Sequence, residues 1–252
     1  VHAPAQVGKD GKVGTVNKLG KAVVPIIYDD VLDYKEGLAT VEQGKLQGAV
    51  DRNGKLAVPM DYEEVGEFDH GLAAAAKDGH YGYIDADGKE VIPFTYDGAM
   101  HFHNGVAVVM KDEQSGVIDT KGDVVVPCQY DWIEGFNTSL SRVRKDGHMG
   151  IISIFGDVVL PVEHDHVGPL SDSLALVIDQ GKCGYVDAKG AWVIPERYGA
   201  DALTINRGDF HNGVARVLSA GKLGLIDTKG EKVFPALYAD IGLLESGVVP
   251  VK

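Results

Sequence analysis

The chain has 252 residues, 44% hydrophobic and 24% charged, with 33 glycines and a net charge of −13 from 24 basic and 37 acidic side chains. That length supports a large core, and the acidic balance argues against nucleic acid or an anionic membrane surface as partner. No apolar run of about 18 residues is present, which argues against membrane insertion, and Cys128 and Cys183 form neither a CxxC metal motif nor a disulfide framework.

In chain order, "VHAPAQ" opens on Val1 rather than Met and reads as the polar start of a mature exported protein. A motif glycine then recurs at Gly14, Gly48, Gly82, Gly116, Gly150, Gly184 and Gly224, with spacings of 34, 34, 34, 34, 34 and 40. Six residues after each comes a second glycine (Gly20 to Gly230), eleven after a proline (Pro25 to Pro235), and fourteen after a tyrosine, replaced once by His164. A period of 34 is also that of helical tetratricopeptide arrays. Here two glycines and a proline interrupt every copy, and the apolar runs are short and β-branched, so strands fit and helices do not.

Within residues 64–96 the predicted strands are "EVGEF", "LAAAAK", "YGYID" and "KEVIP", the last ended by its proline. The "ADG" joint supplies an Asp to bond turn N–H groups and a glycine for positive φ. The pattern predicts an all-β chain of seven 34-residue four-stranded repeats, a seven-bladed β-propeller in one domain, 1–252, closed by both termini. Residues 12–25 supply a third and fourth strand and residues 240–252 a first and second; Pro4–Val7 also fall in a second-strand register, so the seam has two readings. An open β-solenoid of hairpins is the alternative. The six extra residues before Gly224 lie within "YGADALTINRGDF" and predict a protruding loop.

The pattern in "YGYIDADGKEVIPFTYDGAMHFHNGVAVV" (Tyr81 to Val109) resembles the WG, or KWG, repeat family across nearly the whole chain. The Trp usual before the motif glycine is absent; Val13, Gln47, Tyr81, Ser115, Met149, Cys183 and Leu223 stand there. The resemblance implies a β-rich scaffold with a binding role, in a bacterial protein outside the cytoplasm, in the periplasm or at the cell surface. It supplies no catalytic residues.

The fixed glycines, prolines and turn acids (Asp51, Asp85, Asp119, Asp187, Asp227) read as architecture, as do the core aromatics and leucines Tyr34, Phe68, Phe102, Phe136, Leu170, Phe210 and Leu244. Binding candidates are the acids after the tyrosine position: Asp29, Asp30, Glu63, Glu64, Asp97, Asp131, Asp201 and Asp240, with Asp165 in the same register. In a propeller they would crowd one face near the channel mouth and attract a basic partner protein; each could instead cap its own turn. Trp132 is a candidate interface anchor, and Arg207 places a charge where other repeats are apolar. His164 and His166 flank Asp165, and His101 and His103 flank Phe102; each pair is half a metal site without a third ligand in sequence. No metal or other cofactor is expected. With no nucleotide-binding or hydrolase motif, the expected function is non-enzymatic: docking another protein through an acidic loop face, as a scaffold or as an inhibitor or immunity protein. The alternative is a carbohydrate-binding lectin or glycoside-acting enzyme using the same acids on a glycan.

Overall fold

The computed structural model describes residues 5–136, 138–201, 204, 208–239 and 241. Among these the chain is all-β, with 26 strands in antiparallel sheets. By proximity it divides into two compact units, Val1–Tyr130 with Gly135–Thr138, and Asp131–Glu134 with Ser139–Lys252.

The repeat of residues 64–96 shows the local design. Its strands are Glu64–Val65, Leu72–Lys77, His80–Asp85 and Glu90–Tyr96, paired in that order. The first strand is only two residues long. The second and third are joined by Asp78 and Gly79, at φ 53° and 76°, a two-residue turn of the type that follows strand twist. Between the third and fourth, Asp85 Oδ1 accepts the N–H groups of Asp87 (3.0 Å) and Lys89 (2.9 Å), and Gly88 takes φ 79°. The same two bonds occur at Asp51, Asp119, Asp187 and Asp227, with Asn17 and Ser153 substituting in their repeats. The turn-cap expectation for these residues holds.

The fourth strand departs from expectation. It does not stop at its proline but runs on to the tyrosine position, as in Ala22–Tyr28. The pairs Thr15↔Val24 and Val13↔Tyr28 leave two extra residues on the fourth strand, and the same shift recurs in every repeat. Pro25 lies in that bulge, where a missing N–H costs no ladder bond. The carbonyl of Val24 passes 2.5 Å from where a Cβ on Gly14 would sit, so only glycine fits. The residue in place of the family's Trp pairs directly with the tyrosine position, as in Gln47↔Tyr62 and Cys183↔Tyr198.

At the N-terminal end, Ala5–Lys9 pairs with Lys12–Val16, with Val7 opposite Gly14. The first sheet therefore already holds its own second strand. Of the two readings of the seam, the second-strand register of "PAQV" is the one the structure bears out over its described residues, because "AQVGK" and "KVGTV" make a hairpin through Asp10 and Gly11.

Apolar side chains pack between successive repeats. Leu38, Ala49, Val58, Val65, Phe68, Ala75 and Ile84 form one such layer, and Leu174, Leu176, Tyr185, Ile194, Phe210, Val217 and Ile226 another. Tyr83 and Phe102, both fully buried, meet at 4.6 Å between ring centroids; truncating a ring buried in this way costs about 3–5 kcal/mol. Leu170 breaks the pattern and is exposed, because His166–Ser171 runs unbroken into a turn at Asp172 and Ser173. Leu244 lies outside the described residues.

Polar residues eight positions before the motif glycine tie neighbouring sheets together. Gln6, Thr40, Arg142 and Arg216 donate to the carbonyls of Val31, Val65, Val167 and Ile241 respectively, the first three of these on the first strand of the next repeat. An edge strand two residues long otherwise leaves such carbonyls without a ladder partner.

The six-residue insertion is not a free protrusion where it is described. Thr204 is buried, its N–H donates to Asp201, and Gly208 donates to Thr204 O at 2.8 Å. Tyr185 Oη donates to Gly208 O at 2.6 Å, which docks the segment onto its own sheet.

Both cysteines are free. Cys183 is fully buried, and desolvation pushes its thiol up to about 12; Cys128 is half-buried and raised by the same cause. A thiol reagent at about pH 8 should label Cys128 slowly in the native protein and Cys183 only after denaturant is added, because the thiolate is the reactive form. Equal native labelling of both, followed by peptide mapping, would refute the burial of Cys183.

Candidate functional site

The bulge carries the tyrosine position to the edge of its sheet, against the fourth strand of the following repeat. In the first compact unit this makes a cleft of about 350 Å³ lined by Tyr62, Lys77, Asp78, His80, Glu90 and Phe94. Phe94 stacks on Tyr62 at 6.0 Å, and Lys77 Nζ lies 5.7 Å from the Tyr62 ring centroid, within cation–π range.

Moving three repeats along, 102 residues, replaces these lining residues in register by His164, Asp179, Gln180, Lys182, Trp192 and Glu196. This second site, within the other compact unit, has different chemistry. His164 is only 7% exposed, and its Nδ1 lies 2.5 Å from Asp179 Oδ2. Asp179 Oδ1 accepts the Asp165 N–H at 2.9 Å. The ligand atoms of His164, Asp179 and Glu196 all lie within 4.8 Å of one another, the one such set of three among the described residues. Trp192, half-exposed, meets the His164 ring edge-on at 6.4 Å.

The two carboxyls are pushed apart. Burial would raise Asp179, but the hydrogen bonds from His164, the Asp165 N–H and Glu196 outweigh it and hold it below the usual carboxylate range. Glu196 is raised, first by burial and then by its hydrogen bond to Asp179 and that group's charge. An ionised Asp179 places a proton on His164 Nδ1. That leaves His164 Nε2 buried, with no hydrogen-bond partner among the described residues.

The acids singled out in sequence are mostly occupied with turns. Asp29 accepts the Gly44 N–H at 2.7 Å and pairs with Lys12, Asp30 accepts the Val31 N–H, Glu63 the Gly79 N–H, and Asp97 the Asp112 N–H. Glu64 accepts the Tyr81 hydroxyl at 2.6 Å, and Asp201 accepts the N–H and Oγ1–H of Thr204. Asp131 is exposed, with its N–H donating to Arg144 O. Trp132 is half-buried, with the Arg142 guanidinium 5.9 Å from its ring centroid. His166 is held below its ordinary pKa by burial and then by Arg142, and takes no part in the His164 cluster. Arg207 and Asp240 lie outside the described residues. Sequence reasoning thus found His164 but not its partners, which stand 15 and 32 residues further along. The signal lay in aligned repeat positions, where His replaces Tyr, Asp replaces Gln, Lys or Ser, and Glu replaces an apolar residue or cysteine.

These sheets and clefts define an all-β repeat protein. Residues 14–46, 48–80, 81–114, 116–147 and 224–252 match the family described as WG containing repeat, well over half of the sequence, and the chain belongs to that family. No curated protein matches it. Among solved structures it is similar to a eukaryotic initiation factor (14% identity, 98% of this chain and 77% of that one, TM-score 0.48). It is also similar to Hsv2p of Kluyveromyces lactis (12% identity, 79% and 74% coverage, TM-score 0.40), and to PorZ, a surface component of the type-IX secretion system of Porphyromonas gingivalis (9% identity, 91% and 36% coverage, TM-score 0.35). These likenesses are too distant to bear on function.

Asp29, Asp51 and Asp187 all sit below the ordinary carboxylate range. For Asp29 the Gly44 N–H is the main cause, then Lys12; for Asp51 and Asp187 it is the N–H four residues on, from Lys55 and Ala191. A depressed folded pKa gives stability that is complete above the unfolded value of about 3.9 and is lost as pH falls through the folded value. The urea midpoint should therefore hold between about pH 7 and pH 5 and fall between about pH 4 and pH 3. Asp187→Asn, which keeps the acceptor oxygen, should shrink that fall; a midpoint that rises on acidification would contradict the role of these caps.

Proposed function

We propose that this WG-repeat protein is a non-enzymatic interaction scaffold that docks a basic partner protein through its acidic surface. The observation that carries this is the division of labour within the repeat. Glycines, prolines and turn acids are consumed by backbone needs, while positions on the clefts and sheet edges change freely from copy to copy. A net charge of −13 favours a basic partner. As part of the same proposal the seven repeats close into a β-propeller, supported by the separate four-stranded order of most sheets. Export from a bacterial cytoplasm is also part of it, supported by family resemblance alone.

A glycan-binding role is the second possibility, favoured by the half-exposed Trp192 beside the Asp179–Glu196 pair. Glycoside hydrolysis fits less well, since it needs carboxyls about 5 Å or more apart with the sugar between them, whereas the ligand oxygens of these two lie within 4.8 Å of one another.

Partner capture on immobilised protein should be strong at about 0.1 M salt and weak at about 1 M, where the Debye length falls from about 10 Å to about 3 Å. Asp131→Lys should weaken capture at the lower salt and leave the melting temperature unchanged. Capture indifferent to both changes would rule out acidic docking, and retention on a glycan array without protein capture would favour the lectin.

A further inference from the structure

The second site differs from its counterpart in a directed way. Three positions far apart in sequence change together, and all three changes bring metal-ligating atoms into one place. Tyr62 becomes His164, Lys77 becomes Asp179 and Phe94 becomes Glu196. At no other copy do these three positions hold a His or a carboxylate: the tyrosine is otherwise constant, the second position is Lys9, Gln43, Lys77, Lys111, Lys145 or Ser219, and the third is Ile26, Met60, Phe94, Cys128, Val162 or Ala236. A structural substitute for a Tyr–Lys–Phe contact would not need two carboxyls and an imidazole. His164 is buried, and its Nδ1 faces Asp179 Oδ2 at 2.5 Å.

We propose that His164, Asp179 and Glu196 bind a divalent first-row transition-metal ion, represented by zinc. One imidazole and two carboxylates form the mixed nitrogen and oxygen set that such ions accept and that magnesium and calcium, with their preference for oxygen alone, do not favour. Ligand atoms already within 4.8 Å of one another need only small side-chain rotations to reach metal–ligand distances of about 2.0–2.2 Å. The ion takes the place of a proton: the one on His164 Nδ1, which faces Asp179, passes to solvent on binding. The Asp165 N–H stays on Asp179 Oδ1 and orients that carboxylate. Three protein ligands leave a position for water or for a donor from a bound molecule.

The test uses the purified chain and does not depend on any partner. Calorimetric titration with zinc chloride in a non-coordinating buffer should show one saturable site, and cobalt(II) should give a visible absorption band at the same stoichiometry. Glu196→Gln, a near-isosteric change at an exposed residue, preserves the fold, yet should weaken zinc binding more than about tenfold. The pair His164→Tyr and Asp179→Lys, which installs the residues of the first cleft, should abolish the site. His101→Ala with His103→Ala should leave it intact. The proposal fails if wild type shows no saturable site, if the Glu196 and His164 variants bind zinc as wild type does, or if calcium competes on equal terms.

Discussion

In every repeat the carbonyl oxygen ten residues after the motif glycine passes 2.5–2.8 Å from where a Cβ on that glycine would stand. The contact is made by Val24, Val58, Ile92, Val126, Leu160, Ile194 and Phe234. It forces the fourth strand to bulge across the third, and the proline tolerates that bulge because it has no N–H to lose. The strand then rejoins the ladder at the tyrosine position. One close approach thus explains the glycine, the proline and their spacing.

The bulge also decides where chemistry can sit. It brings the tyrosine position of one sheet against the fourth strand of the following repeat, with the second-strand end alongside. Where those places hold Tyr62, Lys77 and Phe94, the cleft is held by ring stacking and a cation over a ring face. Where they hold His164, Asp179 and Glu196, the same backbone presents a hydrogen-bonded titratable cluster. Scaffold and site are therefore separable: residues that set the backbone repeat, and residues that set the cleft do not. The second glycine belongs to the first group, since a Cβ on Gly54 or Gly190 would strike the carbonyl of Val23 or Val159 in the preceding repeat.

Periodicity made the repeat length, the strand class, the turn caps and the buried aromatics legible, because each follows from backbone needs imposed identically in each copy. The bulge was not legible: proline after a β-branched run ends a strand as often as it marks a bulge, and only pairing distinguishes Pro25 in a continuing strand from Pro25 at its end. The acids after the tyrosine looked like a shared surface, but short side chains next to a tight turn bond the nearest N–H, as Asp29 does to Gly44 and Asp97 to Asp112. In sequence His164 stands two residues from His166, yet one ends a strand and the other begins the next. The real partners of His164 come from the next hairpin and the next sheet, a distance that only comparison of aligned repeats reveals. Leu170 was not legible because it sits where its copy departs from the common turn.

The most direct test of the glycine constraint compares two alanine substitutions by equilibrium urea unfolding. Neither glycine has positive φ, so backbone strain is not involved. At Gly82 a Cβ would meet Ile92 O at 2.6 Å; at Gly98 its nearest neighbour is the Met110 side chain at 3.5 Å. A strand glycine changed to alanine otherwise gains slightly from reduced backbone entropy. Gly82→Ala should therefore lose about 2–3 kcal/mol, and Gly98→Ala should stay within about 0.5 kcal/mol of wild type. A Gly82→Ala protein with the wild-type midpoint would show that the close approach does not hold the repeat in its register.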